Sequence, residues 1–236
     1  MCGIAGTIKF QNNQTKTTDF VILNIMKKIM YSRGPDHQGN FTYKKDNFFL
    51  NFYSSRLSII DLDKRSNQPF SFDNLILVFN GEIFNYLEIK KELENNNYKF
   101  ITNSDTEVLI KSYHCWGKNC VKKFDGMWAF AIYDKKHNNI FFSRDPFGEK
   151  PFYFFHDNNQ FIFGSEIKYV QTLENNKKTK IINNKKFFDY LGCGYKSLYK
   201  DNKTFYKNIS ELDGGHNLFL NLRNNKISKQ KYIKNI

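Results

Sequence analysis

Cysteine is scarce: Cys2, Cys115, Cys120 and Cys193 are the four in 236 residues. No two form a CxxC, and their spacing fits no common zinc pattern. No metal site is therefore expected. Cys115 and Cys120 stand in a segment that reads as helix, and two half-buried thiols are the simplest expectation for them. Long apolar runs are missing too, none reaching the ~18 residues of a membrane span, so no membrane partner is expected. The first ten residues lack a charged stretch followed by an apolar run, which argues against a signal peptide. A reducing cytoplasm fits and would keep thiols free. Pro- or Ser-rich linkers and internal repeats are also absent. One domain over residues 1–236 is expected, a length that layered folds often reach.

What the chain has in quantity is Phe, 25, and Tyr, 14, side chains that suit strands better than helices. It also carries a net charge of +13. A charge excess alone is only an electrostatic footprint for nucleic acid. The lysines are scattered among asparagines, as in Asn175-Asn176-Lys177-Lys178, rather than striped, so nucleic acid is not expected as a partner.

Period and punctuation give a coarse map. Gly3 to Phe10 reads as a strand. Asp19 reads as an N-cap, followed by Phe20, Leu23, Met26 and Met30 at helical spacing. After the turn Arg33-Gly34-Pro35-Asp36 come strand-like blocks at Phe48–Tyr53, Arg56–Ile60 and Leu75–Phe79. Tyr86 to Asn95 reads as a helix, and Ser104-Asp105-Thr106-Glu107 as a capping box before a second one. Short strands are expected at Trp128–Tyr133, Ile140–Ser143, Pro151–Phe155 and Phe161–Gly164, with turns at Asn138-Asn139 and Asn158-Asn159. Strand pieces follow near Leu218–Leu222 and Ile227–Ile233. The sum is an α+β domain with antiparallel sheets covered by helices.

Cys2 follows Met1 directly. Removal of Met1 would leave Cys2 with a free α-amine of pKa about 7.7–8.0. Such an amine can act as base toward its own side chain, so that one residue supplies both nucleophile and base. A Cys–His dyad with His37, His114, His137, His156 or His216 is the alternative, and a frayed terminal thiol of no importance is the plain one.

Nine short strings in register decide between them. They are Met1-Cys2-Gly3-Ile4-Ala5-Gly6, Arg33-Gly34-Pro35-Asp36, Ser55 to Asp61, Asn67-Gln68-Pro69, Phe79 to Asn85, Ser104 to Glu107, Phe124 to Phe130, Arg144 to Gly148 and Phe163 to Lys168. Together they resemble the class II glutamine amidotransferase (glutaminase) domain of glutamine-hydrolysing asparagine synthetases. The resemblance implies an N-terminal-nucleophile hydrolase fold, an αββα sandwich of two stacked antiparallel sheets flanked by helices. It implies hydrolysis of glutamine to glutamate and ammonia, with Cys2 as the nucleophile once Met1 is removed.

Residue by residue, the resemblance implies that Arg56 takes the glutamine carboxylate through its planar fork. Asp105 would take the ammonium, with Glu82 sharing it and the backbone of Leu57 and Ile60 lining the pocket. Asn80 and the Gly81 N–H would form the oxyanion hole. Arg33 would support the loop near Cys2. No metal or cofactor is implied for this half. ATP and Mg belong to the family's synthetase domain, whose Ser-Gly-Gly-x-Asp-Ser loop is absent from these residues. The ammonia would pass to a synthetase domain or subunit that amidates aspartate or a sugar-linked acid; the alternative is a non-catalytic glutamine-binding or assembly module. One departure is Gly214-Gly215-His216, where the family more often has Pro-Gly-His, and a loosened turn away from the chemistry is expected there.

Overall fold

The computed structural model describes residues 2–10, 16–45, 47–174, 177–199 and 201–233. In chain order the elements begin with β1 (Gly3–Phe10), α1 (Lys16–Met30), β2 (His37–Lys45) and β3 (Phe48–Arg56). Next come β4 (Phe70–Phe72), β5 (Leu75–Ile83), α2 (Tyr86–Asn95) and α3 (Asp105–Trp116). The second half holds β6 (Gly126–Asp134), β7 (Asn139–Arg144), β8 (Tyr153–His156), β9 (Gln160–Gly164), α4 (Ile167–Leu173) and α5 (Asn184–Cys193). It closes with β10 (Ser210–Glu211), β11 (His216–Asn221) and β12 (Lys226–Lys231).

The strands form two six-stranded sheets, ordered β10-β8-β9-β1-β3-β2 and β12-β11-β7-β6-β5-β4. Every strand pair in them is antiparallel. Strand residues alternate between faces, and both faces of each sheet are covered. In β5, Ile76 and Val78 enter the core between the sheets, while Leu77 and Phe79 enter the layer under the helices. In β6, Ala129 and Ala131 take the first role, and Trp128 and Phe130 the second. The inter-sheet core is aromatic: Phe142 meets Phe161 at 5.0 Å and Phe163 at 5.2 Å between ring centroids. Met26 and Met30 of α1 pack with Tyr169 and Val170 of α4 on the first sheet. Ile89 and Leu93 of α2 and Val108 and Leu109 of α3 cover the second. The layers are thus αββα, as the resemblance implied.

Several sequence expectations are corrected. α1 starts at Lys16, so Asp19 lies inside the helix rather than at its cap. The block Arg56–Ile60 is not a strand: β3 ends at Arg56, and the chain then turns into a loop with Ile59 exposed. Ser104 caps α3 by accepting from Thr106 N, yet the reciprocal half of the capping box is missing. Glu107 instead accepts from Thr102 and Ile101 and pairs with Lys111, so the buried ammonium outcompetes the cap. Cys115 is half-buried as expected, whereas Cys120 is fully buried. Beyond the expected elements stand β2, β4, β10, α4 and α5. Among the described residues, no helix is long and apolar enough to cross a membrane.

Candidate functional site

Face alternation brings the site together. Cys2 shares its parity with Ile4 and Ile8 of β1, and Arg56 with Leu50 and Phe52 of β3; all four of those apolar residues face the inter-sheet core. Asn80 shares the parity of Ile76 and Val78 in the other sheet. The three polar side chains therefore gather where the sandwich opens at one end. One pocket is lined by Cys2, Arg56, Asn80, Gly81, Glu82 and Asp105, with Leu57 and Ile60 also in its wall.

Cys2 is held by two neighbours, Leu57 and Arg33. Leu57 N donates to the sulfur at 3.4 Å, and the thiol faces Leu57 O at 3.6 Å. Arg33 Nε donates to Cys2 O at 2.9 Å, while Arg33 Nη1 pairs with Glu166 Oε1 at 3.4 Å. Burial pushes the Cys2 thiol above its ordinary value, and the Leu57 N–H pulls the other way. Met1, whose removal the amine mechanism needs, lies outside the described residues. None of the five histidines lines this pocket. His114 bonds Tyr98, His137 bonds Asp134 and His156 bonds Asn225, so no dyad forms.

On the facing strand, Asn80 is 1% exposed, and its Nδ2 has no hydrogen-bond partner among the described residues. A buried amide donor left unpaired costs about 1–3 kcal/mol. Gly81 is needed for space: a Cβ there would lie 2.2 Å from Met127 O. Two residues on, Ile83 N donates to Asp105 Oδ2 at 3.1 Å, tying the start of α3 to the strand end. Asp105 is only 5% exposed. Burial pushes its carboxyl up to about 6; Glu82 adds to that, while the Ile83 and Thr106 N–H groups oppose it.

Arg56 differs from expectation. Its Nη1 donates to Asn67 Oδ1 at 2.9 Å and to Asp63 O at 3.3 Å. Its Nη2 donates to Ile60 O at 3.1 Å and to Asp61 O. The fork is therefore committed to the loop 57–67, and only Nε has no acceptor among these bonds. The guanidinium braces the pocket wall in this state. The motif Arg33-Gly34-Pro35-Asp36 docks on the same strand end: Asp36 N donates to Arg56 O at 3.1 Å, and Asp36 Oδ2 accepts from Ser58 N at 2.7 Å.

Reading the sequence also missed partners. Gln68 Oε1 accepts from Phe79 N at 2.6 Å, joining the loop to β5 beside Asn80. Its place in Asn67-Gln68-Pro69 was the only signal. Lys150 lines the pocket as well, and no spacing pointed to it. Among the described residues, no group of three or more His, Cys, Asp or Glu is arranged to hold a metal.

The sequence model of the glutamine amidotransferase domain matches residues 1–233. The chain belongs to that family. The amidotransferase domain is 38% identical to a putative glutamine-hydrolysing asparagine synthetase 2 of Methanocaldococcus jannaschii, over 98% of this chain and 46% of that protein. It is 34% identical to glutamine-hydrolysing asparagine synthetase 2 of Bacillus subtilis, over 98% of this chain and 30% of that protein. The chain thus spans half or less of the length of these curated relatives. Its fold is shared with the glutamine phosphoribosylpyrophosphate amidotransferase of B. subtilis, with a TM-score of 0.64 at 18% identity over 100% of this chain and 50% of that one. That fold is the N-terminal-nucleophile hydrolase sandwich.

Proposed function

We propose that this domain hydrolyses glutamine to glutamate and ammonia through Cys2, and that the ammonia serves an asparagine-synthetase-type amidation on a synthetase domain or subunit. The observation that carries the reading is the orphaned Asn80 Nδ2, buried in the pocket that the Cys2 thiol enters. An unpaired donor beside a nucleophile is the arrangement an oxyanion requires.

The chemistry proceeds as follows. The Cys2 α-amine, free once Met1 is cut away, takes the thiol proton. The sulfur attacks the glutamine δ-carbon, and the amide C=O becomes C–O⁻, held by Asn80 Nδ2 and the Gly81 N–H. One such donor contributes about 2.7–4 kcal/mol to the transition state. The C–N bond breaks as the α-ammonium returns its proton to nitrogen, releasing ammonia. Water, deprotonated by the same amine, cleaves the γ-glutamyl thioester. Asp105 and Glu82 receive the substrate ammonium, and Arg56 faces its carboxylate after giving up a loop carbonyl. Arg33 holds the Cys2 carbonyl in place. The reaction needs no metal or organic cofactor. Four free thiols suit a reducing cytoplasm.

The deciding experiment is intact mass after exposure to 6-diazo-5-oxo-norleucine. A chain lacking Met1 and carrying one adduct on Cys2 supports the reading. An unlabelled chain that still binds glutamine would favour a non-catalytic binding or assembly module instead.

A further inference from the structure

Lys150 is a cation of this pocket that the steps above do not use. It is 6% exposed and lines the same pocket as Cys2, Asn80 and Asp105. Its backbone is fixed at both polar groups. Lys150 N donates to Asp145 Oδ2 at 2.9 Å, and Lys150 O accepts from Arg144 Nε at 2.7 Å. Asp145 is fully buried and also accepts from the N–H groups of Phe147 at 3.1 Å and Glu149 at 2.9 Å. The turn that carries Lys150 is therefore a rigid mount. The ammonium itself makes no hydrogen bond or ion pair with the described residues, unlike the buried Lys111 and Lys186, which pair with Glu107 and Asp201. An ammonium without a partner, carried on a rigid pocket wall, is open to an arriving anion.

The sheet register says which end of the substrate it serves. Arg144 pairs with Ala129, and Ala129 pairs with Asn80. The mount thus springs from the row of residues that holds Asn80. Arg56, the cation for the other end, comes from the opposite sheet. Resting on the glutaminase reading, we propose that the Lys150 ammonium is a third oxyanion-stabilising group, set against the negative charge that forms at the substrate amide. It faces the C–O⁻ of the tetrahedral intermediate and then the γ-carboxylate of product glutamate, and transfers no proton.

The test is steady-state glutamine hydrolysis by the Met1-free chain, for wild type, Lys150→Met and Lys150→Arg. The Met variant should lose about 10- to 100-fold in kcat with KM changed less than about 3-fold, and the Arg variant should recover most of the loss. Unchanged kcat in the Met variant overturns the proposal. A rise in KM alone also overturns it, since that assigns Lys150 to the α-carboxylate. Should the Met variant not fold, inhibition of wild type decides. Glutamate should bind about tenfold tighter than 2-amino-5-oxohexanoate, which puts an uncharged methyl ketone in place of the γ-carboxylate. Equal binding overturns the proposal. Failure of wild type itself to turn over glutamine would instead remove the glutaminase reading, a distinct result.

Discussion

Arg56 and Asn67 are joined side chain to side chain at 2.9 Å, from the last residue of β3 to the far end of the loop it braces. Lys at position 56 could not reach the same four acceptors, because an ammonium lacks the fork. Arg56→Lys should therefore free the loop 57–67. Limited proteolysis should cut there faster than in wild type. KM for glutamine should rise at least about tenfold, the loss expected for one charge-assisted bond. Unchanged cleavage and KM would show that the brace is dispensable.

Removing the unpaired amide at Asn80 should separate binding from chemistry. Asn80→Ala should lower kcat about 10²- to 10³-fold with little change in KM. Thermal stability should hold or rise, since the orphaned donor disappears with the side chain. Rapid-quench detection of the γ-glutamyl thioester would place the loss at the attack step.

The Asp105 carboxyl sets an acid limit on substrate binding. Burial lifts it to about 6, so as pH falls through that value the empty site takes up a proton and loses its partner for the substrate ammonium. KM should rise below about pH 6, and Asp105→Asn should abolish that dependence while raising KM at neutral pH. Isothermal titration of glutamine into a Cys2→Ala chain from pH 5 to 8 measures it. A flat profile would remove Asp105 from the ammonium site.

Glu107 and Lys111 form a pair whose side chains are 1% and 4% exposed. Burial alone would raise the Glu107 carboxyl; the Lys111 and Thr102 bonds outweigh it and hold it below the ordinary value. That stability is present above the unfolded pKa of about 4.3 and fades as pH falls through the lower folded value. Glu107→Ala leaves the ammonium buried and should cost about 3–5 kcal/mol in urea unfolding at pH 7. The wild-type advantage should shrink below pH 4.

The strands β5 and β6 were legible because a strand buried on both faces reads as a short continuous apolar run, here Leu75–Phe79 and Trp128–Tyr133. The end of β3 was not. Leu57 to Ile60 carries strand-like residues, but carbonyls drawn to Arg56 and an N–H drawn to Cys2 turn the chain aside, and those partners are distant in sequence. β2 escaped notice because it is a half-exposed edge strand with no clean alternation. The residues α5 carries, such as Phe188 and Leu191, remain exposed, so no stripe marked it as a helix. In the site, the residues matching family strings came together, whereas Lys150 has no signature short of the folded turn. Gly214 proved informative in the same way. The loosened, remote turn expected there is instead packed: a Cβ at Gly214 would lie 2.8 Å from Gly148 N, and Gly215 N donates to Asp145 O at 2.7 Å. It buttresses the turn that mounts Lys150.

The division of the pocket between two sheets has a kinetic corollary. Cys2 and Arg56 arrive on one sheet, and Asn80, Gly81 and the Lys150 mount on the other, so neither half alone encloses a substrate. A refolding chain with one sheet formed would have a thiol without an oxyanion cradle, or a cradle without a thiol. Recovery of turnover should therefore lag behind recovery of strand signal and coincide with closure of the Phe142–Phe163 layer, making hydrolysis a clock for the last step of assembly.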